Sequence, residues 1–263
     1  MKITHASNRY MWMAALLLLS LYSCDENSIH PCERGVGAVV SEVRSVSNFS
    51  KIRLDVPGDL YIRRDSVFRL EISGQANILN EITTEVRGDL LEIDSRHCLR
   101  SHKTIRIDLS LPTTTALEVR GSGNVFGLDR FEADALNLLV KGSGSIEFEA
   151  DVRRLDIDID GSGNITLDAQ AEEIETDING SGDLFLSGST LRHLIDINGS
   201  GDVFAFQTPT SESTIRITGS GDCEVRVSDQ LNVTIRGSGN VRYKGNPSVS
   251  ANITGSGRLT NDN

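Results

Sequence analysis

The tripeptide Gly-Ser-Gly recurs from residue 121 to the end of the chain at nearly even spacing. Its eight copies begin at Gly121, Gly142, Gly161, Gly180, Gly199, Gly219, Gly237 and Gly255. Successive copies are 18 to 21 residues apart. A unit of this length that recurs at a fixed period is typical of a solenoid, in which each repeat forms one coil and stacks on the previous one.

The residues that flank each tripeptide alternate between apolar and polar. Two positions before the first glycine, every copy has a β-branched residue: Val119, Val140, Ile159, Ile178, Ile197, Ile217, Ile235 and Ile253. Four positions after that glycine, the copies have Val125, Ile146, Ile165, Leu184, Val203, Cys223, Val241 and Leu259. This alternation indicates strands with one buried face. We therefore predict an all-β, single-stranded parallel β-helix (a solenoid) with about 19 residues per coil, Gly-Ser-Gly corners and a buried Cys223.

The solenoid is predicted to span residues 45–263, with irregular coils over 45–115 and regular repeats over 116–263. In the irregular part, "VPGDLYI" and "VRGDLLEI" resemble degenerate corners, each followed by a strand. The segment Ala76–Ile82 is short enough for one helical turn over the end of the solenoid, where core and strand edges need a cover. We predict no second domain.

The first residues resemble a bacterial lipoprotein signal. Lys2 and Arg9 precede an apolar run that is too short for a membrane span. The run ends in "LYSC", which is similar to a lipobox. We predict a signal peptide over 1–23, lipidation of Cys24 and a tether over 24–44, so that the mature protein is held on the membrane by its lipid. The alternative is simple secretion with an incidental cysteine. The predicted location is the outer membrane or cell surface.

The overall charge excludes one class of partner. The formal net charge is −11 at pH 7, whereas a nucleic-acid-binding protein needs a basic surface. We therefore predict no nucleic-acid partner.

One column of residues after the corners has two interpretations. The residue after each Gly-Ser-Gly is Asn124, Ser145, Asn164, Asp183, Asp202, Asp222, Asn240 or Arg258. Asn and Asp at turns commonly accept hydrogen bonds from backbone amides. The second interpretation is that Asp183, Asp202 and Asp222 form a row of Ca²⁺ ligands. Apart from Ca²⁺, we predict no cofactor, and both interpretations stay open at this point.

Histidine and cysteine form one small group: His30, Cys32, His97, Cys98 and His102. Their spacing does not match a zinc finger. Outside the cytoplasm, a Cys32–Cys98 disulfide would connect the tether to the early coils. A metal site and unpaired cysteines are the alternatives.

The sequence contains no arrangement typical of a catalytic site. Acidic residues recur with the repeat instead of clustering once, and we recognise no Ser-His-Asp, Cys-His or phosphate-binding loop motif. The one tryptophan, Trp12, lies in the predicted signal peptide. Phe126, Phe185, Phe204 and Phe206 are expected on the outer surface, where they could stack against sugars. We predict a non-enzymatic protein with no catalytic residues.

The repeated "GSGDV" and "GSGNV" corners, the "VRYKGNPSV" segment and the lipobox together resemble the head GIN domain family of adhesin-like Bacteroidetes lipoproteins. The resemblance covers about residues 45–263 and implies a right-handed parallel β-helix without established catalytic residues. It implies an adhesin-like binding module that presents its faces to polysaccharide, matrix or host protein, or envelope partners. The alternatives are an envelope scaffold and, further removed, a polysaccharide-degrading enzyme.

Overall fold

The computed structural model of the protein describes residues 32–263. The fold below is that of the compact unit Glu33–Asn263. The predicted signal peptide and Cys24 lie outside the described residues. Within the described part, none of the helices has the length and apolar character needed to cross a membrane.

The described elements are nearly all strands. The N-terminal part contains β1 (Glu33–Arg34), β2 (Val39–Arg44), β3 (Lys51–Leu54), β4 (Gly58–Arg64), β5 (Arg69–Gln75), α1 (Ala76–Glu81), β6 (Ile82–Arg87), β7 (Leu90–Ser95), β8 (Leu99–Arg100) and β9 (Ile105–Leu111). The repeats contain β10 (Ala116–Gly121), β11 (Asn124–Gly142), β12 (Ser145–Gly161), β13 (Asn164–Gly180), β14 (Leu184–Gly199), β15 (Val203–Gly219), β16 (Cys223–Gly237), β17 (Asn240–Lys244), β18 (Ser248–Gly255) and β19 (Arg258–Asn261).

The repeats stack as a parallel β-solenoid of about 8 turns with ~19 residues per coil, which confirms the predicted fold class. The first glycines of successive corners are register partners, from Gly121 and Gly142 onward to Gly237 and Gly255. The β-branched residues before them are also in register. The inward columns therefore form largely apolar stacks through the core, interrupted by Thr176, His193 and Ser213, and Cys223 is fully buried among them as predicted.

The corners explain why glycine recurs at both ends of the tripeptide. Gly199 has a φ of 139°, which disfavours side chains with a Cβ. A Cβ built on Gly201 would lie 2.2 Å from the backbone oxygen of Gly182 in the previous coil. The carbonyl oxygen of Gly180 accepts bonds from the amides of Ser200 and Gly201 at 2.8 and 3.1 Å. The close approach of successive corners thus satisfies backbone donors and leaves no space for a side chain.

The N-terminal coils do not follow chain order in space. Strand β3 lies between β7 and β10, and β4 lies between β9 and β11, with all four pairings parallel. The coil formed by β3 and β4 is therefore enclosed by chain that comes later. The helical turn predicted near residue 76 is present as α1, and its Ile78 and Leu79 are buried.

Two expectations for the N-terminal part need correction. Residues 39–44, assigned to the tether, form β2 and pair antiparallel with β5. The "VRGDLLEI" segment is not a corner, because β6 and β7 pair antiparallel as a hairpin that turns at Gly88 and Asp89. Gly88 has a φ of 66°, which suits a two-residue hairpin turn.

Candidate functional site

The Asn and Asp residues after the corners form a hydrogen-bonded ladder. The Oδ1 atom of Asp183 accepts the Asp202 amide at 3.0 Å, and that of Asp202 accepts the Asp222 amide at 2.7 Å. Asp222 in turn accepts the Asn240 amide at 2.7 Å. Each side chain therefore binds the backbone of the next coil. This geometry supports the turn interpretation of the column.

Like charges approach one another along this ladder. Burial raises the pKa of Asp202, and the neighbouring charges of Asp183 and Asp222 act in the same direction, against the hydrogen bond from the Asp222 amide. Within residues 32–263, no group of three or more His, Cys, Asp or Glu side chains is arranged to hold a metal ion. Ca²⁺ binding by Asp183, Asp202 and Asp222 stays a prediction.

Asp202→Asn separates the two interpretations. Because asparagine keeps the accepting oxygen and removes a charge between two aspartates, we expect the melting temperature at pH 7 to be unchanged or higher by up to about 2 °C. Thermal melts of the parent and variant should be recorded with and without chelator. If chelator lowers the melting temperature of the parent but not of the variant, the ladder binds Ca²⁺.

A second acidic column lies on the segment before the corners. Asp158, Asp177 and Asp196 are direct register partners on three successive coils. Burial raises the pKa of Asp158 and of Asp177, and neighbouring carboxylates add to both effects. Asp196 is compensated by Arg216 at 3.0 Å. The column therefore carries negative charge, while Arg154 beside it pairs with Asp156 at 3.0 Å and with Glu175 at 2.9 Å.

Aromatic side chains lie on the segment after the corners, as expected from the sequence. The rings of Phe185 and Phe204 stack with centroids 4.9 Å apart and planes inclined by 10°. Phe185 is 41% exposed. Phe206 lies two residues beyond Phe204 in the same strand, with the ammonium group of Lys244 4.4 Å from its ring centroid. We call Phe185, Phe204 and Phe206 the aromatic surface.

The aromatic surface borders an irregularity between coils. The pairing of β14 with β15 shifts register after Phe185, and that of β15 with β16 shifts after Ala205. Thr208 is fully buried at this irregularity, and its hydroxyl donates to the carbonyl oxygen of Leu186 at 2.9 Å. The repeat from Gly199 to Gly219 is one residue longer than its predecessor, and this added length was the available sequence signal.

Within residues 32–263, the interior contains a titratable side chain that the sequence analysis did not single out. His193 is 2% exposed and lies on an inward column between Ile174 and Ser213. Its Nε2 atom is 3.0 Å from the Thr176 hydroxyl, whereas its Nδ1 atom has no hydrogen-bond partner. Burial lowers the pKa of His193 to about 3. The imidazole is therefore neutral at physiological pH.

The cysteine prediction concerns the first described residues. Strand β1 pairs in parallel with β8, and the Glu33 amide donates to the Cys98 carbonyl oxygen at 2.7 Å. The Cys32–Cys98 disulfide itself stays a prediction.

We expect the intact mass of the chain to rise by about 2 Da on reduction, because each opened disulfide gains two hydrogens. Peptide mapping without reductant should then yield a linked Cys32–Cys98 peptide. An unchanged mass, or linkage of Cys98 to another cysteine, would contradict the pairing.

Together, the coils and their outward columns define a β-solenoid with several chemically distinct faces. The family described as "Putative auto-transporter adhesin, head GIN domain" matches residues 48–184 and 155–247, and the chain belongs to this family. The resemblance drawn from the sequence is therefore confirmed. A comparison with curated proteins gives no match.

Solved structures share the fold. A "putative adhesin" from Parabacteroides merdae is 21% identical with a TM-score of 0.84, and the match covers 88% of this chain and 99% of the other. A "putative lipid binding protein" from Parabacteroides distasonis is 23% identical with a TM-score of 0.85, covering 89% and 100%. A further "putative adhesin" from P. distasonis is 25% identical with a TM-score of 0.81, covering 87% and 98%. The family indicates an adhesin-like role at the cell surface or envelope.

Proposed function

We propose that the protein is a non-catalytic binding module of the cell envelope, anchored by lipid at Cys24. The observation that supports it is the register of the outward columns, which run in parallel from coil to coil through most of the chain. Such columns form long, flat faces, and solenoids use faces of this kind for extended contacts. The partners are polysaccharide, matrix or host protein, or another envelope protein.

A binding array tests this function. The full-length chain, purified in uncharged detergent, would be applied to polysaccharides and matrix proteins, with retained protein and any shortened glycan both measured. We expect saturable binding without cleavage. Shortened glycan would instead identify an enzyme, and an array without any binding would contradict the binding module.

The lipid anchor has its own test. Cells expressing the chain would be fed an alkyne fatty acid, and we expect the label on the parent protein and none on Cys24→Ser. Protease added to intact cells then distinguishes surface exposure from an inward-facing location. A labelled Cys24→Ser variant would contradict lipidation at this residue.

One observation favours the scaffold alternative. In β18, Val249 and Ile253 are exposed although their columns are buried in earlier coils. The strand contains no charged side chain, and charge is a common protection of sheet edges. A scaffold built from copies of the chain would cross-link between β18 segments on intact cells.

A further inference from the structure

Two cations face each other on adjacent coils without a carboxylate partner. Arg226 and Lys244 are direct register partners of β16 and β17. Among the described residues, neither makes an ion pair within 4.0 Å, whereas the neighbouring Arg242 pairs with Glu224 at 2.8 Å and with Asp262 at 2.6 Å. Like charges directly opposite each other destabilise a sheet. A bound anion would remove this repulsion.

The two cations border open space. A cavity of about 570 Å³ is lined by Arg226, Lys244, Gly245, Asp262 and Asn263. A second cavity of about 400 Å³ shares Arg226 and Gly245 with it and adds Pro209, Ser228 and Asn246. Together they form a groove bordered by the two cations, with Gly245, Pro209 and several polar side chains along it. We call it the cationic groove.

The cationic groove joins the aromatic surface. Lys244 connects the two, because its ammonium group lies against the Phe206 ring. Beyond Phe206, the stacked rings of Phe185 and Phe204 continue the same outer face towards the preceding coil. A ligand on this face would contact aromatic rings at one end and the two adjacent cations, Arg226 and Lys244, at the other.

We propose that this face binds a polysaccharide that contains uronic acid, with carboxylates on Arg226 and Lys244 and sugar rings against Phe185 and Phe204. The proposal rests on the proposed function and names the ligand class. Among the described residues of this face, Arg226 and Lys244 are the cations without a carboxylate partner, and the chain has a net charge of −11. An anionic lipid surface, with its continuous negative charge, would be repelled by the chain. A uronate carboxylate can contact one cation or bridge both, because the two cations lie about one strand spacing apart.

Binding of hyaluronan and alginate oligosaccharides to the full-length chain in uncharged detergent tests the proposal. Both ligands have carboxylates, and their carboxyl-reduced forms are matched neutral controls. We expect both acidic forms to bind, the reduced forms to bind at least about tenfold more weakly, and affinity to fall with added salt.

Two variants assign the binding to these residues. The double variant Arg226→Gln/Lys244→Gln should lose at least about tenfold in affinity, since two charge-assisted contacts are removed. Arg216→Gln is the matched control, because Arg216 lies before the corner and is paired with Asp196.

Phe185→Ser should weaken binding of both ligands without changing the salt dependence of binding. The melting temperature of Arg226→Gln should not fall, because the change removes a repulsion.

Three results would overturn the proposal: equal affinity for the carboxyl-reduced forms, full affinity in the double variant, or no binding of either acidic ligand. If the chain then binds a neutral glycan or an envelope protein on the array, the binding-module function stands and only the uronate assignment fails. If nothing on the array binds, both fail.

Discussion

Gly201→Ala is expected to destabilise the protein by about 3 kcal/mol, or roughly 6–12 °C in melting temperature. The new Cβ would lie 2.2 Å from the Gly182 backbone oxygen and 2.8 Å from the Ile178 side chain. Neither neighbour can move freely, because the first is backbone and the second is buried in the core. Thermal and denaturant unfolding measure the effect.

Ser200→Ala is the matched control for this substitution. The Ser200 side chain is exposed, and its amide still donates to the Gly180 oxygen after the change. We expect a change within about 0.5 kcal/mol. Equal stability of Gly201→Ala and Ser200→Ala would show that successive corners are not in close contact.

The second large effect is an acid-induced loss of stability from His193. Its pKa is lowered from 6.5 to about 3 by burial, so the unfolded chain takes up a proton that the folded chain does not. The contribution of neutral His193 is therefore fully present above pH 6.5 and is lost as the pH falls towards 3. Between pH 7 and 4.5 the loss amounts to about 3 kcal/mol.

His193→Gln isolates this contribution. Glutamine does not titrate and retains hydrogen-bonding capacity towards Thr176. Urea unfolding of the parent and the variant at pH 7, 5.5 and 4.5 gives the free energy of unfolding of each protein as a function of pH. The carboxylates titrate in both proteins, so their contribution cancels in the difference between the two curves. As the pH falls from 7 to 4.5, we expect the free energy of unfolding of the parent to decrease by about 3 kcal/mol more than that of the variant. Parallel curves would mean that His193 takes up its proton over the same pH range in the folded protein as in the unfolded chain.

The repeats could be predicted from the sequence because one period controls several properties together. Once Val119 and Val125 are recognised as inward positions, the register of every later coil follows from the Gly-Ser-Gly spacing. The same alternation places His193 inward, since it lies two positions before Ile195. The sequence analysis did not extend the inward columns to this position, and His193 was therefore not recognised as buried.

The N-terminal part could not be predicted to the same degree. Alternation indicates a strand but not its partner, so the hairpin of β6 and β7 has the same pattern as a coil. A Gly-Asp pair between two alternating runs is also a hairpin signal, which was the overlooked evidence at Gly88. The position of the cationic groove depends on where the extra residues of the coil near Phe206 bulge out of the regular pairing. The length of the coil shows that extra residues are present but not which residues bulge.

The placement of β3 and β4 between later strands has a consequence for the export that the proposed lipid anchor at Cys24 requires. A chain that emerges with its amino terminus first cannot complete its first coil until β7 and β9 have also crossed the membrane. From β11 onward, each additional 19 residues or so find a finished coil on which to dock. Folding on the far side of the membrane would thus begin with one slow, cooperative step that forms the first coils and would continue by adding one coil at a time. Each added coil would oppose backward sliding of the chain.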